Sequence, residues 1–142
     1  MDSTVQTEFS IYLADRPGEL AGVLEAARAA GVEIQGLVVG HNHSKGLVRM
    51  LGTPEEALRR ILEQLVESGA GPCVEAPVVV VPIADRPGLF RELAAELALD
   101  DVNLQHAYAI PPRPGSDNGH GMSFVLRVSD VDQTRKTLDR LA

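Results

Sequence analysis

The sequence predicts an α+β protein in which one β-α-β-β-α unit occurs twice, and two observations lead to this prediction. The pentapeptide ADRPG stands at residues 14–18 and again at residues 84–88, an offset of 70 positions. Each copy follows a strand-like alternation of apolar residues and precedes apolar residues at helical spacing. The chain therefore carries an internal repeat that is centred on a strand-to-helix turn.

The first half of each copy predicts a strand, a helix and a second strand. Alternating apolar residues predict the first strands, with Phe9, Ile11 and Leu13 in one copy and Val79, Val81 and Ile83 in the other. Spacing of i, i+3, i+4 and i+7 predicts a buried helical stripe, with Leu20, Val23, Leu24 and Ala27 in one copy and Phe90, Leu93, Ala94 and Leu97 in the other. Gly31 is suited to end the first helix, and alternating strands begin at Val32 and Val102.

The second half of each copy predicts another strand and another helix. The loops HNHSKG (41–46) and PPRPGSDNGHG (111–121) differ in length, so the offset slips by seven residues, from 70 to 77, and residues 47–51 align with 124–128. A helix with Thr53 as its cap and Pro54 at its first position matches one that begins after Asp130. This order is the ferredoxin-like arrangement, an antiparallel sheet with two helices on one face.

The ferredoxin-like arrangement needs a fourth strand in each copy. We assign residues 1–76 to a first domain, with a short fourth strand at residues 73–76, and residues 77–142 to a second domain. The fourth strand of the second domain is missing or borrowed. Residues 78–81 (VVVV) are apolar on both faces, so we expect them to be buried in an interdomain or intersubunit contact, and Pro82 favours an edge position.

Charge and composition disfavour several classes of partner. The net charge is −7, Lys and Arg are scattered, and there is no Trp, so we expect no nucleic-acid surface. Cys73 is the single cysteine, which excludes an internal disulfide. The N-terminal residues do not resemble a signal peptide and no apolar run approaches a membrane span, so we expect a cytoplasmic protein.

The ADRPG turn permits a structural and a functional interpretation. Proline fixes φ for the first helical turn, glycine permits close approach, and the Asp side chain accepts amide hydrogen bonds. The same geometry leaves the first helical amides exposed with a partial positive charge, which suits a carboxylate or phosphate. We favour the structural interpretation for Pro17 and Pro87. For Asp15 and Asp85, binding of a ligand's ammonium group is an equal alternative.

The turn, the helical stripe and the second strand occur in register twice, with V-E-I at 32–34 and V-N-L at 102–104, and they resemble the ACT domain over residues 8–141. ACT domains are small regulatory modules attached to many enzymes of amino-acid metabolism. The resemblance implies an amino-acid-binding regulatory protein that is not an enzyme, needs no cofactor and acts on an enzyme of amino-acid metabolism. Because two incomplete sheets leave edges to satisfy, we expect a homodimer.

The resemblance also implies a site, in which a ligand lies between the turn of one domain and the second strand of a paired domain. The turn residues matched by position are Asp15, Pro17, Gly18, Glu19 and Leu20, and Asp85, Pro87, Gly88, Leu89 and Phe90. Asn103 matches the family's Asn at the start of the second strand, whereas the first copy has Glu33 there. A carboxylate at Glu33 would repel a ligand carboxylate, so the site with Asn103 is the better candidate and the other is empty or altered.

Several residues and two further functions have to be weighed beside this interpretation. His41 and His43 offer two metal ligands without a third nearby, so we interpret them as a solvated hairpin tip and expect no metal site. His106 and Tyr108 line a cleft or pack as ordinary strand residues. One alternative function is a protein-binding regulatory subunit without ligand sensing. The other is a ferredoxin-like enzyme such as an acylphosphatase-type hydrolase, which the sequence disfavours because no catalytic constellation can be recognised in it.

Overall fold

The computed structural model describes residues 1–43, 45–83, 86–112 and 121–141. These residues form six strands and four helices: β1 (Thr4–Ala14), α1 (Glu19–Ala29), β2 (Glu33–Asn42), β3 (Lys45–Thr53), α2 (Glu55–Glu67), β4 (Cys73–Ile83), α3 (Leu89–Leu99), β5 (Leu104–Ile110), β6 (Met122–Val128) and α4 (Val131–Arg140). Strand β3 pairs antiparallel with β1 and β2, and β6 pairs antiparallel with β4 and β5. The predicted α+β class and the β-α-β-β-α order of each copy are confirmed.

The chain divides into two compact units, and the N-terminal residues do not belong to the unit that the sequence suggested. The first unit is Thr7–Ala76, and the second unit combines Met1–Gln6 with Pro77–Ala142. Residues 1–6, which the sequence analysis assigned to the first domain, therefore fold with the second. The physical reason is that the first residues of β1 lie beside β4 and supply a neighbouring strand to the second unit.

The first unit is a sheet that is covered on one face by α1 and α2. Strand β3 lies between β2 and β1, and the beginning of β4 follows beside β1. There the Tyr12 amide donates to the Pro72 carbonyl at 3.1 Å. Alternate strand residues point to the same side, so one face carries the core. The buried core residues are Phe9, Ile11, Leu13, Val23, Ala27, Val32, Val48, Met50, Leu58 and Leu62.

The second unit repeats this layout with β6 between β4 and β5, and residues 4–6 of β1 lie beside β4 as its fourth strand. Its buried core residues are Val79, Val81, Ile83, Leu89, Leu93, Leu97, Val102, Leu126, Val128, Leu138 and Leu141. Val78 and Val80, on the opposite side of β4, are also buried, at 0% and 5% exposure. Residues 78–81 are therefore buried as predicted, and the predicted interdomain or intersubunit contact stays a prediction.

The register of the central strands corrects the sequence alignment of the two copies. Phe9 lies opposite Met50, and Val79 lies opposite Leu126, so Met50 corresponds to Leu126 with an offset of 76. Helices α2 and α4 begin at Glu55 and Val131, which gives the same offset. The predicted offset of 77 was wrong by one residue. Because a shift of one residue moves a strand side chain to the other face, that alignment paired residues from opposite faces.

The helix ends follow local chemistry with one exception. Gly31 adopts the left-handed conformation after α1, with φ of 76°, as the sequence indicated. The Asp130 side chain accepts a hydrogen bond from the Gln133 amide at 3.0 Å and caps α4. Helix α2 differs from the prediction, because Pro54 rather than Thr53 stands at its N-cap.

Candidate ligand site at the strand-to-helix turns

The first ADRPG turn leaves the start of α1 without a side-chain cap. Gly18 is the N-cap residue, and its φ of 91° lies in the left-handed region that favours glycine. The Glu19 amide donates back to the Arg16 carbonyl at 3.3 Å, and the Gly22 amide donates to the Gly18 carbonyl at 3.0 Å. The intervening amides, of Leu20 and Ala21, have no helical carbonyl to bind, because the first amides of any helix lack one.

The second turn has the same geometry. Gly88 is the N-cap of α3 with φ of 80°, and it provides no side-chain acceptor. The Leu89 amide donates to the Arg86 carbonyl at 3.3 Å, and the Glu92 amide donates to the Gly88 carbonyl at 3.0 Å. Asp85, which the sequence analysis placed in this site, lies outside the described residues. In both copies the turn thus presents two helical amides that a carboxylate or phosphate can accept from.

Asp15 contacts a residue that the sequence analysis did not connect with the turn. Its Oδ2 atom lies 2.8 Å from Nε2 of His41, and both side chains are more than half exposed. β1 ends one residue before Asp15, and β2 ends one residue after His41. The sequence analysis predicted a solvated hairpin tip at His41 and missed this contact. The two residues are 26 positions apart, so no local sequence pattern indicates that they meet.

The arginines of both turns pair with carboxylates of the helices that follow them. Arg16 Nη2 lies 2.7 Å from Glu19 Oε1, and Arg86 Nη2 lies 2.8 Å from Glu92 Oε2. The Arg16 side chain is 72% exposed. These pairs place one cation and one carboxylate beside each set of first-turn amides.

The apolar residues of the two turns differ in their exposure. Leu89 is buried in the core of the second unit at 4% exposure, so only its backbone is available to a ligand. Phe90 is 42% exposed, and its ring centroid lies 5.2 Å from that of Phe124 on β6. Leu20, the equivalent of Phe90 in the first unit, packs against the core there. An aromatic pair therefore stands beside the second turn, where the first turn has an aliphatic residue.

The strand residues of the predicted site lie at the far end of each unit from its own turn. Asn103 is exposed and precedes β5. Its backbone amide donates to Ser129 Oγ at 2.9 Å. Helix α3 separates it from Gly88, and a helix of this length spans about 16 Å. Glu33 lies correspondingly at the start of β2, opposite Thr53. One unit by itself does not bring its turn and its strand residue together.

The histidines do not form a metal centre in the part of the chain that the structure describes. Over residues 1–43, 45–83, 86–112 and 121–141, no group of three His, Cys, Asp or Glu residues is arranged to hold a metal ion. His106 and Tyr108 lie on β5 with stacked rings, 6.1 Å apart at an interplanar angle of 17°. The two side chains therefore contact each other on the strand.

A shallow cavity that the sequence did not indicate lies in the first unit. It has a volume of about 270 Å³ and is lined by Glu63, Val66, Glu67 and Cys73. Burial, together with the nearby carboxylates of Glu75 and Glu63, raises the pKa of the Cys73 thiol to about 11. The thiol is therefore protonated near neutral pH and is a poor nucleophile.

Among the described residues, no helix is both long enough and apolar enough to cross a membrane.

Comparisons with known proteins identify the fold. No family model and no curated protein matches the sequence. The structure of protein BT0572 from Bacteroides thetaiotaomicron aligns with 96% of this chain and 88% of its own, at TM-score 0.81 and 18% identity. The ligand-free regulatory subunit of aspartate kinase from Thermus thermophilus aligns over 99% and 96%, at TM-score 0.66 and 14% identity. Aspartate kinase from Synechocystis aligns over 96% of this chain and 25% of its own, at TM-score 0.62 and 17% identity. These similarities show a shared fold.

Proposed function

We propose that the chain is a cytoplasmic regulatory protein with two ACT domains, which binds an amino acid or a similar small ligand and acts on an enzyme of amino-acid metabolism. The observation that carries this proposal is the pair of glycine N-caps, Gly18 and Gly88, at φ of 91° and 80°. Each leaves first-turn amides without a side-chain cap, which favours binding of a carboxylate. In this proposal the protein works as a homodimer and has no catalytic activity of its own.

The fold gives the proposal its second support. The regulatory subunit of aspartate kinase from Thermus thermophilus aligns with this chain over almost the whole length of both. In Synechocystis aspartate kinase, the matching segment is a quarter of the chain. A fold shared with a regulatory subunit supports a role in acting on a partner enzyme.

The second turn is the better ligand site in this proposal. A ligand carboxylate would accept from the Phe90 and Arg91 amides, and Asn103 of a paired domain would bind its polar groups. The exposed Phe90 ring beside Phe124 offers an apolar wall for a side chain. Where two copies of the first domain pair in the same way, the position equivalent to Asn103 carries Glu33, whose charge opposes a second carboxylate.

A thermal-shift screen of the twenty amino acids tests the proposal. A ligand that binds the native state raises the melting temperature, by an amount that grows with its concentration relative to Kd. We expect at least one amino acid to do so. A flat response over the whole panel at millimolar concentration would contradict ligand sensing.

A matched pair of variants locates the site. Ala21→Asp and Arg91→Asp each place a carboxylate at the third helical position of α1 or α3, where it stabilises the helix and competes with a ligand carboxylate. We expect Arg91→Asp to abolish the thermal shift and Ala21→Asp to leave it unchanged. Arg91→Ala, which introduces no carboxylate, is the control and should retain most of the shift.

A protein-binding regulatory subunit without ligand sensing is the second candidate. Its support is the edge strand β2, which exposes Leu37 at 39% and Val39 at 54%. Apolar residues on an open strand edge are suited to pair with another protein. If no amino acid shifts the melting temperature, while Val39→Lys abolishes retention of a co-expressed enzyme of amino-acid metabolism, this second function is favoured.

A further inference from the structure

An apolar patch borders the second turn, and three side chains of the second unit form it. Phe90 is 42% exposed at the start of α3, and Met122 is 48% exposed at the start of β6. Phe124 is half-buried, and its ring lies 5.2 Å from that of Phe90 between centroids, at an interplanar angle of 48°. Single exposed apolar residues are ordinary, but contiguous ones are typical of a binding surface.

Strand pairing places this patch at the end of the sheet from which the second turn leaves. Met122 and Phe124 are two residues apart on β6, so their side chains point to the same side, about 7 Å apart along the strand. Met122 lies opposite Ile83, the last residue of β4, and Phe124 lies opposite Val81. Val81 and Ile83 belong to the core of the second unit. The apolar patch therefore continues that core to the surface beside the turn.

The first unit has no aromatic residue at the positions equivalent to the apolar patch. With the offset of 70 before the loop and 76 after it, these positions are Leu20, Val48 and Gly46. Val48 is buried at 1% exposure, and Leu20 packs against the core of its unit. The apolar patch is thus a property of the second turn and not of the repeated fold.

The geometry of α3 brings the apolar patch within reach of a ligand that is bound at the turn. The amides that would bind a ligand carboxylate belong to Phe90 and Arg91. In an α-helix each Cα–Cβ bond tilts towards the N-terminus, so the Phe90 side chain leans towards the end at which these amides are exposed. An amino acid whose carboxylate accepts from them therefore has its own side chain within about one residue's length of the Phe90 ring.

We infer that the ligand of the second turn is an aromatic amino acid, whose ring packs against Phe90 and Phe124 and beside Met122. This inference rests on the proposed function, because it names the class of ligand for the same site. Two rings in contact favour a third ring over an aliphatic group, because an aromatic pair gains about three- to tenfold in affinity beyond the burial of its area. The Met122 thioether adds a favourable sulfur–aromatic contact.

Binding of L-phenylalanine and L-cyclohexylalanine to the full chain tests this inference, since the two amino acids differ mainly in the aromaticity of the ring. By titration calorimetry, we expect L-phenylalanine to bind about three- to tenfold more tightly. L-tryptophan should also bind, and because the chain has no Trp, the fluorescence of this ligand reports binding without a protein background. Equal affinity for the first two amino acids would overturn the inference.

Three variants locate the contacts that select the ring. Phe90→Leu gives the second turn the residue of the first and should abolish the preference for L-phenylalanine over L-cyclohexylalanine. Leu20→Met, a change of similar volume at the equivalent position of the first turn, is the control and should retain this preference. Met122→Leu removes the sulfur and should reduce the preference by about threefold. If Phe90→Leu retains the full preference, the apolar patch does not select the ligand.

The thermal-shift screen separates failure of this inference from failure of the proposed function. If only amino acids without an aromatic ring, such as leucine, serine or lysine, raise the melting temperature, the ligand class is wrong and the proposed function stands. If none of the twenty amino acids does so, the proposed function and the ligand class are both overturned.

Discussion

His41 Nε2 lies 2.8 Å from Asp15 Oδ2, and this contact joins the tip of the β2–β3 hairpin to the first ADRPG turn. The sequence analysis considered the Asp15 carboxylate as a partner for a ligand's ammonium group, and His41 already contacts this carboxylate. A ligand that binds the first turn in that manner would have to displace His41.

The Asp15–His41 contact is expected to contribute little to global stability. The two side chains are 57% and 63% exposed, so solvent screens their interaction and the coupling free energy should be below about 1 kcal/mol. A double-mutant cycle of Asp15→Asn and His41→Ala, followed by urea unfolding at low and high salt, measures this coupling. A coupling well above this limit, or one that is unaffected by salt, would contradict the expectation.

Two glycines of the first unit should respond to alanine in opposite directions. A Cβ atom at Gly71 would overlap the backbone carbonyl of Tyr12, so Gly71→Ala should lower the free energy of unfolding by about 2 kcal/mol or more. Gly22 lies in α1 with no atom within 4 Å of an added Cβ, so Gly22→Ala should raise it by about 0.5–1 kcal/mol. Urea unfolding measures both, and a similar effect of the two substitutions would refute the packing argument.

Cys73 is expected to react slowly with alkylating reagents. Burial and the carboxylates of Glu75 and Glu63 raise its pKa from 9.0 to about 11, so the folded protein holds about a hundredfold less thiolate at a given pH. Iodoacetamide labelling near pH 8 should be slower by about that factor than labelling of the same protein in urea. Glu63→Gln removes one of the causes and should accelerate the reaction of the folded protein.

The same thiol predicts a loss of stability at high pH. The folded state retains a proton that the unfolded state releases above pH 9.0, so the free energy of unfolding should fall as the pH rises from there towards about 11. Cys73→Ala removes this dependence and is the control for titration of other groups. An unchanged slope in the variant would show that Cys73 does not cause the decline.

Asp100 is expected to contribute to the acid sensitivity of the second unit. Its Oδ2 accepts hydrogen bonds from Thr137 Oγ1 and Arg140 Nη2, both at 2.5 Å, and these contacts lower the pKa of the carboxyl group below 3.8. The contribution is complete above the unfolded pKa and is lost as the pH falls through the folded one. Asp100→Asn should therefore make stability less dependent on pH as the pH falls through and below the unfolded value of 3.8. A wild-type slope in the variant would exclude this role.

The sequence predicted the features that depend on neighbouring residues. Apolar spacing located the strands and helices, and the paired ADRPG turns indicated where each helix begins. Gly31 was recognised as a helix end and Asp130 as a cap, because both act through their own backbone or an amide three residues away. For the candidate site, the sequence indicated the turns themselves but not the burial of Leu89, the exposed Phe90–Phe124 pair or the contact of His41 with Asp15.

The tertiary structure decided what depends on distant residues. Because a loop can vary in length, the sequence does not fix the offset between the two copies beyond the loop. Strand pairing established the offset of 76, which makes Met50 equivalent to Leu126 and Arg59 equivalent to Arg135. Local sequence pattern could not indicate that residues 4–6 supply the fourth strand of the second unit. A fourth strand is selected by its neighbour in space and not by its place in the chain. Local preference determined the elements of this protein, and the need to pair strand edges determined which element completes which unit.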